Sequence, residues 1–418
     1  MDALSRFDLA EIESRLVRVM IERFGLDPAA LVLDMTNFAT FIDSTNGKAT
    51  IAQRGRAKQK RNDLRLVGLG LVVTRDGGIP LVSHAYPGDR PDVTQFTAML
   101  DQLVSRYGDL LGDPPSATIV FDAGQNSMAN FAHLVELGLH FVGSLPPGDH
   151  PGLLARPATD RHIVDEREFG GLTALEARAD ALGTDRRVIL THSSALADAQ
   201  RAGFAQTLGK ATGQLDELAA KLERGKTRRA RPAVEAEIAR ITKPRWVSRV
   251  LVTELTGGQP AELRLSWHLD PAAQQDLDTE MSGKRILVTD HDDWPISDLV
   301  AAYRSQSEVE SGFRQMKDPH VVSFSPMHHW TDHKIRVHLL TCVLALIVAH
   351  LMRRKAAHTG QNLSVRALLS RLDGIQETVL LYQAERGRPR ARRVITDMTT
   401  DQQHLYGLFD LGRYAPKR

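Results

Sequence analysis

The spacing of apolar positions changes several times along the first 145 residues. In 1–28, Leu16, Val17, Met20 and Ile21 follow helical spacing and Gly25 ends the run. The stretch LVLDMTNFATFI (31–42) reads as a strand, with a carboxylate at its end or middle. Residues 65–74 and 79–84 are two more apolar strands, joined as a hairpin by Asp76, Gly77 and Gly78. Val93, Phe96, Leu100, Leu103 and Tyr107 then line one helix face, which Gly108 stops. A short strand at 118–121 ends in Asp122, Ser127 caps a helix running to Gly138, and 140–144 is a fifth strand. Beyond it SLPPGDHPGLLARP reads as a linker. Short strands at 187–191, 247–253 and 263–269 accompany a charged helical pair around 206–240. A strand returns at 286–289. A long helix over 297–317, an apolar helix over 334–353 and a solvated basic tail containing ERGRPRARR complete the chain.

Three meandering strands, a helix, a returning parallel strand, a helix and a strand are the layout of the RNase H-like fold. The expected class is therefore α/β: an RNase H-like mixed sheet flanked by helices, interrupted by a strand-containing insertion domain and followed by a helical C-terminal part. The expected divisions are a short helical segment at 1–30, the first half of the core at 31–144 and the insertion at 145–290. The second half of the core, with its long helix, occupies 291–353, and a helical, basic tail 354–418.

Composition changes this picture little. Apolar residues make up 42% and charged residues 25%, and the net charge of +2 neither demands nor forbids a polyanionic partner. The single cysteine, Cys342, allows no intrachain disulfide and sits in an apolar run, as a buried thiol would. The N-terminus has no signal pattern, and the run near 339–349 is shorter than the ~20 residues a bilayer span needs. The expectation is a cytoplasmic protein with no membrane contact.

Three carboxylates carry the candidate chemistry. Asp34 interrupts an apolar strand, and Asp122 ends another just before Ala-Gly. Each alone also fits a turn or helix cap. On the helix over 297–317, Tyr303, Gln306, Glu310, Phe313 and Lys317 step by 3, 4, 3 and 4 and form one stripe, flanked by Arg304 and Arg314. Glu308 projects from the other side. Oxygen ligands from two strands and a helix suit two Mg²⁺ ions ~4 Å apart, with Mn²⁺ able to substitute, acting on a phosphodiester.

These segments resemble the DDE transposases of bacterial insertion sequences, in the cut-and-paste group with a Tyr-Arg-Glu-Lys signature. Tyr303, Glu310 and Lys317 stand at the signature's spacing, Gln306 occupies its Arg position, and Arg304 follows the Tyr. LVLDMTNF is similar to the first-Asp motif and VFDAGQNSMANF to the second. Glu310 lies 310 − 122 = 188 residues after Asp122, as in members with an insertion domain. The resemblance implies Asp34, Asp122 and Glu310 as metal ligands. It also implies double-stranded DNA as partner, a homodimer on that DNA and a hairpin intermediate. Tyr303, Arg304, Gln306, Arg314 and Lys317 would contact DNA.

The segment RGRAKQKRNDLR puts six cations, Lys58, Lys60 and Arg61 among them, between two core strands, as a DNA-backbone contact or a solvated loop. RGKTRRARP is a second cluster. The four tryptophans read as packing anchors, with Trp267 and Trp294 as candidates to hold a flipped base. His328 and His329 read as structural. Only 33 residues precede Asp34, where the family has a region that reads terminal repeats. A silent DNA-binding remnant and a host nuclease of the same fold are the alternatives.

Overall fold

Asp8 caps the first helix, α1 (Leu9–Phe24), by accepting from Ala10 N–H. There follow β1 (Ala30–Thr40), β2 (Arg65–Thr74), β3 (Pro80–Pro87), α2 (Phe96–Leu111), β4 (Thr118–Val120), α3 (Met128–Glu136) and β5 (His140–Leu145). The computed structural model describes residues 1–43, 45–55, 63–111, 116–224, 229–382 and 390–415. Two compact units emerge, 1–142 with 301–418, and 143–300.

In the first unit the strand order is β3-β2-β1-β4-β5. The meander β1-β2-β3 pairs antiparallel, and β4 pairs parallel with both β1 and β5. This is the expected mixed sheet. β2 is buried along nearly its whole length, as its apolar run requires of a strand covered on both faces. Its two glycines make room for neighbours: a Cβ on Gly68 would fall 2.1 Å from the Tyr86 ring, and one on Gly70 2.2 Å from the Met99 sulfur.

Register assigns the two faces. Asp34, Leu71 and Ser83 are partners across three strands and share a face, while Met35, Gly70 and His84 share the other. α2 covers the second face, where Gln102 Nε2 lies 2.7 Å from His84 Nδ1. The free edge of β3 is closed by side chains. Tyr107 donates to Leu81 O (2.9 Å), Arg336 donates to Ala85 O (3.0 Å), and Ser83 N–H donates to Glu13 (3.3 Å). Such plugs remove the unpaired backbone groups that would template another strand. Glu13 is buried, which raises its pKa, and it is compensated by Arg106 at 2.6 Å.

The second unit contains α4 (Pro151–Leu154), β6 (His162–Ile163), β7 (Leu172–Asp180), β8 (Asp185–Ser193), α5 (Ser194–Glu223) and α6 (Arg231–Thr242). It continues with α7 (Val247–Val250), β9 (Leu251–Thr256), β10 (Arg264–Leu269), α8 (Pro271–Met281) and β11 (Lys284–Thr289). β11, β8, β7 and β6 pair antiparallel in that order, and β9-β10 is a separate hairpin. Sequence periodicity does not reveal β7. LTALEARAD is made of helix formers, yet it pairs along its whole length with β8, whose centre is buried, so tertiary pairing outweighs local propensity. The strand expected at 247–253 begins as a helical turn and becomes extended only at Leu251.

The chain then forms α9 (Ile296–Arg304), α10 (Gln306–Lys317), α11 (Asp332–Ala357), α12 (Val365–Asp373), β12 (Glu377–Tyr382), β13 (Arg390–Ile395) and α13 (Thr400–Leu408). The helix expected over 297–317 is therefore two helices. Ser305 hydrogen-bonds back through its hydroxyl to Ala302 O, and its N–H is shared between Ala301 O and Ala302 O. That local competition interrupts the ladder. α11 is long and apolar enough to cross a membrane, longer than the sequence run suggested. It is a core helix of the first unit instead, with Ile335, Leu339, Val343, Leu346 and Ile347 buried. Burial pushes the Cys342 thiol up to about 11, as an inert packing cysteine. α12 and α13 close on the end of α11 through Ala356, Leu368 and Leu405. The β12-β13 hairpin between them was not anticipated in a tail read as helical and solvated.

Candidate active site

Asp34 lies in the middle of β1, half-exposed. β4 runs parallel beside it, with Ala30 opposite Thr118 and Val32 opposite Val120. The offset is 118 − 30 = 88, and 122 − 34 is also 88. Asp122, two residues past the end of β4, therefore comes level with Asp34 on the adjacent strand path. The chain is held to that path by Phe121, whose N–H donates to Val142 O at 3.2 Å. The Phe121 ring packs against Phe96, Phe131 and Phe141 at centroid distances of 5.0, 5.8 and 6.0 Å. Truncating Phe121 to Ala would cost about 3–5 kcal/mol and loosen the Asp122 turn. Asp122 also caps the turn after β4, accepting from Gly124 N–H at 2.6 Å, and remains exposed.

α10 brings the third carboxylate. Lys317 Nζ donates to the Thr36 hydroxyl at 2.9 Å and lies 5.2 Å from the Phe38 ring centroid. Thr36 and Phe38 alternate with Asp34 on one face of β1, so the C-terminal end of α10 rests on the face that carries Asp34. Val309, Gly312, Phe313 and Met316 form the buried side of α10. Glu310, two turns before Lys317, is exposed and makes no hydrogen bond or ion pair among the described residues. The three acids are not gathered within 4.8 Å of one another.

Glu308 has a different role. It forms a close ion pair with Arg353 of α11, and Arg353 also donates to Gly77 O at 2.9 Å. The β2-β3 turn, α10 and α11 thus meet at one half-buried charge pair, which sets the rotation of α10 and leaves Glu310 facing out. His350 completes the junction. It is fully buried, with Nδ1 donating to Gly78 O at 2.7 Å and Nε2 3.0 Å from the Gln315 side-chain amide. Burial, reinforced by Arg353, lowers its pKa from 6.5 to about 4. The neutral ring is thus favoured in the folded state. This contribution is full above pH 6.5 and is lost as pH falls from 6.5 towards 4, by up to about 3 kcal/mol. Urea unfolding at pH 7.5 and 4.5 is expected to show a smaller loss for His350→Gln than for the parent; equal losses would remove His350 from the account.

The remaining candidates divide. Arg304 and Arg314 are exposed, and Gln306 is half-buried at the start of α10. Tyr303 sits on α9, beyond the Ser305 break, and is 8% exposed, so it packs rather than continuing an open stripe. Lys58, Lys60 and Arg61 lie outside the described residues. The loop on their N-terminal side is tied to the start of α11. Asp332 accepts from Ile51 N–H (2.9 Å) and from the Thr50 hydroxyl, and Asn46 donates to Trp330 O (3.1 Å). Trp267 donates to Asp216 at 2.9 Å beside an apolar cavity, and Trp294 stacks on His291 at 3.9 Å. His328 and His329 make local contacts with Phe41 and His338. Arg353, His350 and Asp332, which position α10 and this loop, were missed. Their partners lie 35 to 282 residues away, and no local pattern marks them.

The family profile described as Transposase DDE domain matches residues 39–348. The chain belongs to the transposase DDE domain family. The match contains Asp122 and Glu310 and begins five residues after Asp34. No curated protein matches the chain in sequence. Among solved structures, a piggyBac transposase synaptic complex with hairpin DNA, determined by cryo-EM, is similar at a TM-score of 0.36 and 9% identity. The likeness covers 82% of this chain and 51% of that one, so this chain spans about half the length of that transposase.

Proposed function

We propose that this chain is the transposase of a bacterial insertion sequence, cutting and rejoining DNA in a cut-and-paste reaction, with Asp34, Asp122 and Glu310 as its catalytic carboxylates. The observation that carries the reading is the juxtaposition of β1, β4 and α10. Asp34 on β1 and Asp122 just past the end of the adjacent β4 share the register offset of the two strands, and α10, anchored by Lys317 on the face of β1 that carries Asp34, presents an uncommitted glutamate.

An all-carboxylate set with exposed members suits a hard divalent cation that keeps several waters, and Mg²⁺ fits better than zinc. Asp34, Asp122 and Glu310 would hold two such ions, with Mn²⁺ able to replace them. When bound, the ions supply an activated hydroxyl nucleophile and charge stabilisation at the leaving oxygen. Lys317, Arg304 and Arg314 act by attracting and orienting phosphates, and Gln306 by hydrogen bonding, rather than by chemistry. Lys58, Lys60 and Arg61 extend the same contact. Glu308 and Arg353 hold α10 in register. The partner is double-stranded DNA, bound by a pair of chains.

The test is incubation of the purified chain with duplexes bearing the DNA that flanks its gene, with Mg²⁺, at low salt. Strand cleavage at the element's ends is expected. Binding without cleavage would mark a silent remnant, and cleavage indifferent to those ends a nuclease of the same fold. Absence of any DNA binding would overturn the reading.

A further inference from the structure

The β12-β13 hairpin is a separate two-stranded sheet, and among the described residues nothing covers it. Its base is closed by Gln376 and Thr396, with Thr396 N–H donating to Gln376 O at 2.9 Å and Gln376 N–H to the Thr396 hydroxyl at 3.1 Å. All six residues of β12 are exposed. Val379, Leu380, Leu381 and Tyr382 are 47%, 40%, 72% and 49% exposed, so apolar side chains project from both faces of one strand. An isolated two-stranded ribbon is at best marginally stable in water. A bare apolar edge is also a template for another strand. The contrast with β3 is informative, because there Tyr107, Arg336 and Glu13 plug the edge. Among the described residues β12 has no such plugs.

We propose that β12 is a docking edge for β12 of a second copy of this chain, joining two hairpins into one four-stranded antiparallel sheet. Charge selects both the edge and the partner. β13 carries Arg392 and Arg393 in succession and would repel its own copy. β12 carries one charge, Glu377, and that is paired with Arg393 at 3.2 Å. Antiparallel pairing of β12 with itself sets an apolar stretch against an apolar stretch and leaves the arginine strands at the two outer edges. A two-fold axis makes the contact self-complementary. Extending the sheet satisfies the free backbone groups of the edge and sets the apolar side chains of each face beside apolar cross-strand neighbours. DNA is the poorer occupant of this strand, since phosphates pair with arginines and give no reason for four consecutive exposed apolar residues.

This gives a surface to the paired state proposed above, and it is tested without DNA, so the outcome does not depend on whether the chain cuts. Sedimentation equilibrium on the full chain over a micromolar range is expected to show concentration-dependent doubling of the 46.3 kDa mass. Leu381→Lys and Val379→Lys, each at an exposed position, are expected to raise the dimer dissociation constant at least ~10-fold, about 1.4 kcal/mol, with thermal melting unchanged. The double variant Arg392→Ala/Arg393→Ala keeps the dimer. A single-chain mass throughout, or parental dimerisation in Leu381→Lys, overturns the proposal. Loss of duplex binding in the arginine variant of a chain that stays single would reassign the hairpin to DNA.

Discussion

Glu310→Gln is expected to lower DNA cleavage by at least ~10³-fold, about 4 kcal/mol of transition-state stabilisation, while leaving the unfolding free energy unchanged. The substitution keeps size and shape and removes only charge. Glu310 is exposed and makes no contact among the described residues that folding would miss. Glu308→Gln should behave in the opposite way. Its carboxylate is committed to Arg353 at the junction of α10, α11 and the β2-β3 turn. Neutralising it leaves a half-buried guanidinium short of its counter-charge, and stability should fall by about 1–3 kcal/mol with cleavage largely retained. Two glutamates two residues apart on one helix thus separate function from architecture. Paired cleavage assays and urea titrations check the separation. Retained activity in Glu310→Gln, with loss in Glu308→Gln, would show that α10 presents its other side to the DNA.

The legible parts of this chain were those where local pattern and tertiary demand agree. The β1-β2-β3 meander, α2, β4 and β5 are each marked by a period, a cap or a turn, and their order alone suggests a mixed sheet. Asp34 and Asp122 stand out because a carboxylate in an apolar strand needs a reason. What was illegible depends on distant partners. β7 looks helical until β8 is beside it. The stripe from Tyr303 to Lys317 is sound as arithmetic but fails at Ser305, where a hydroxyl competes with the helix for a carbonyl. The residues that orient α10, Arg353 and His350, belong to a helix whose sequence announces only its apolar core. The β12-β13 hairpin is hidden by its composition, since ERGRPRARR reads as solvated until its last residues pair with an apolar strand.

Removing divalent metal is expected to abolish cleavage while sparing the fold. The three carboxylates are spread over β1, the turn after β4 and α10, and each is held in place without a metal: Asp34 by the β1-β2 ladder, Asp122 by Phe121 and Gly124, and Glu310 by the packing of α10. Thermal melting in EDTA should therefore match that of the untreated chain, unlike a structural metal site, where binding free energy is folding free energy. Mg²⁺ and Mn²⁺ should restore cleavage. Ca²⁺, larger and less exacting in geometry, should restore DNA binding alone. A readout independent of catalysis is available: Fe²⁺ bound at the same site, with peroxide and ascorbate, should cut the polypeptide near residues 34, 122 and 310. Asp34→Ala and Asp122→Ala should each suppress those cuts and the cleavage of DNA together. Full DNA cleavage in EDTA would remove the metal from the chemistry. Iron-dependent cuts confined to 143–300 would move the site away from these three carboxylates.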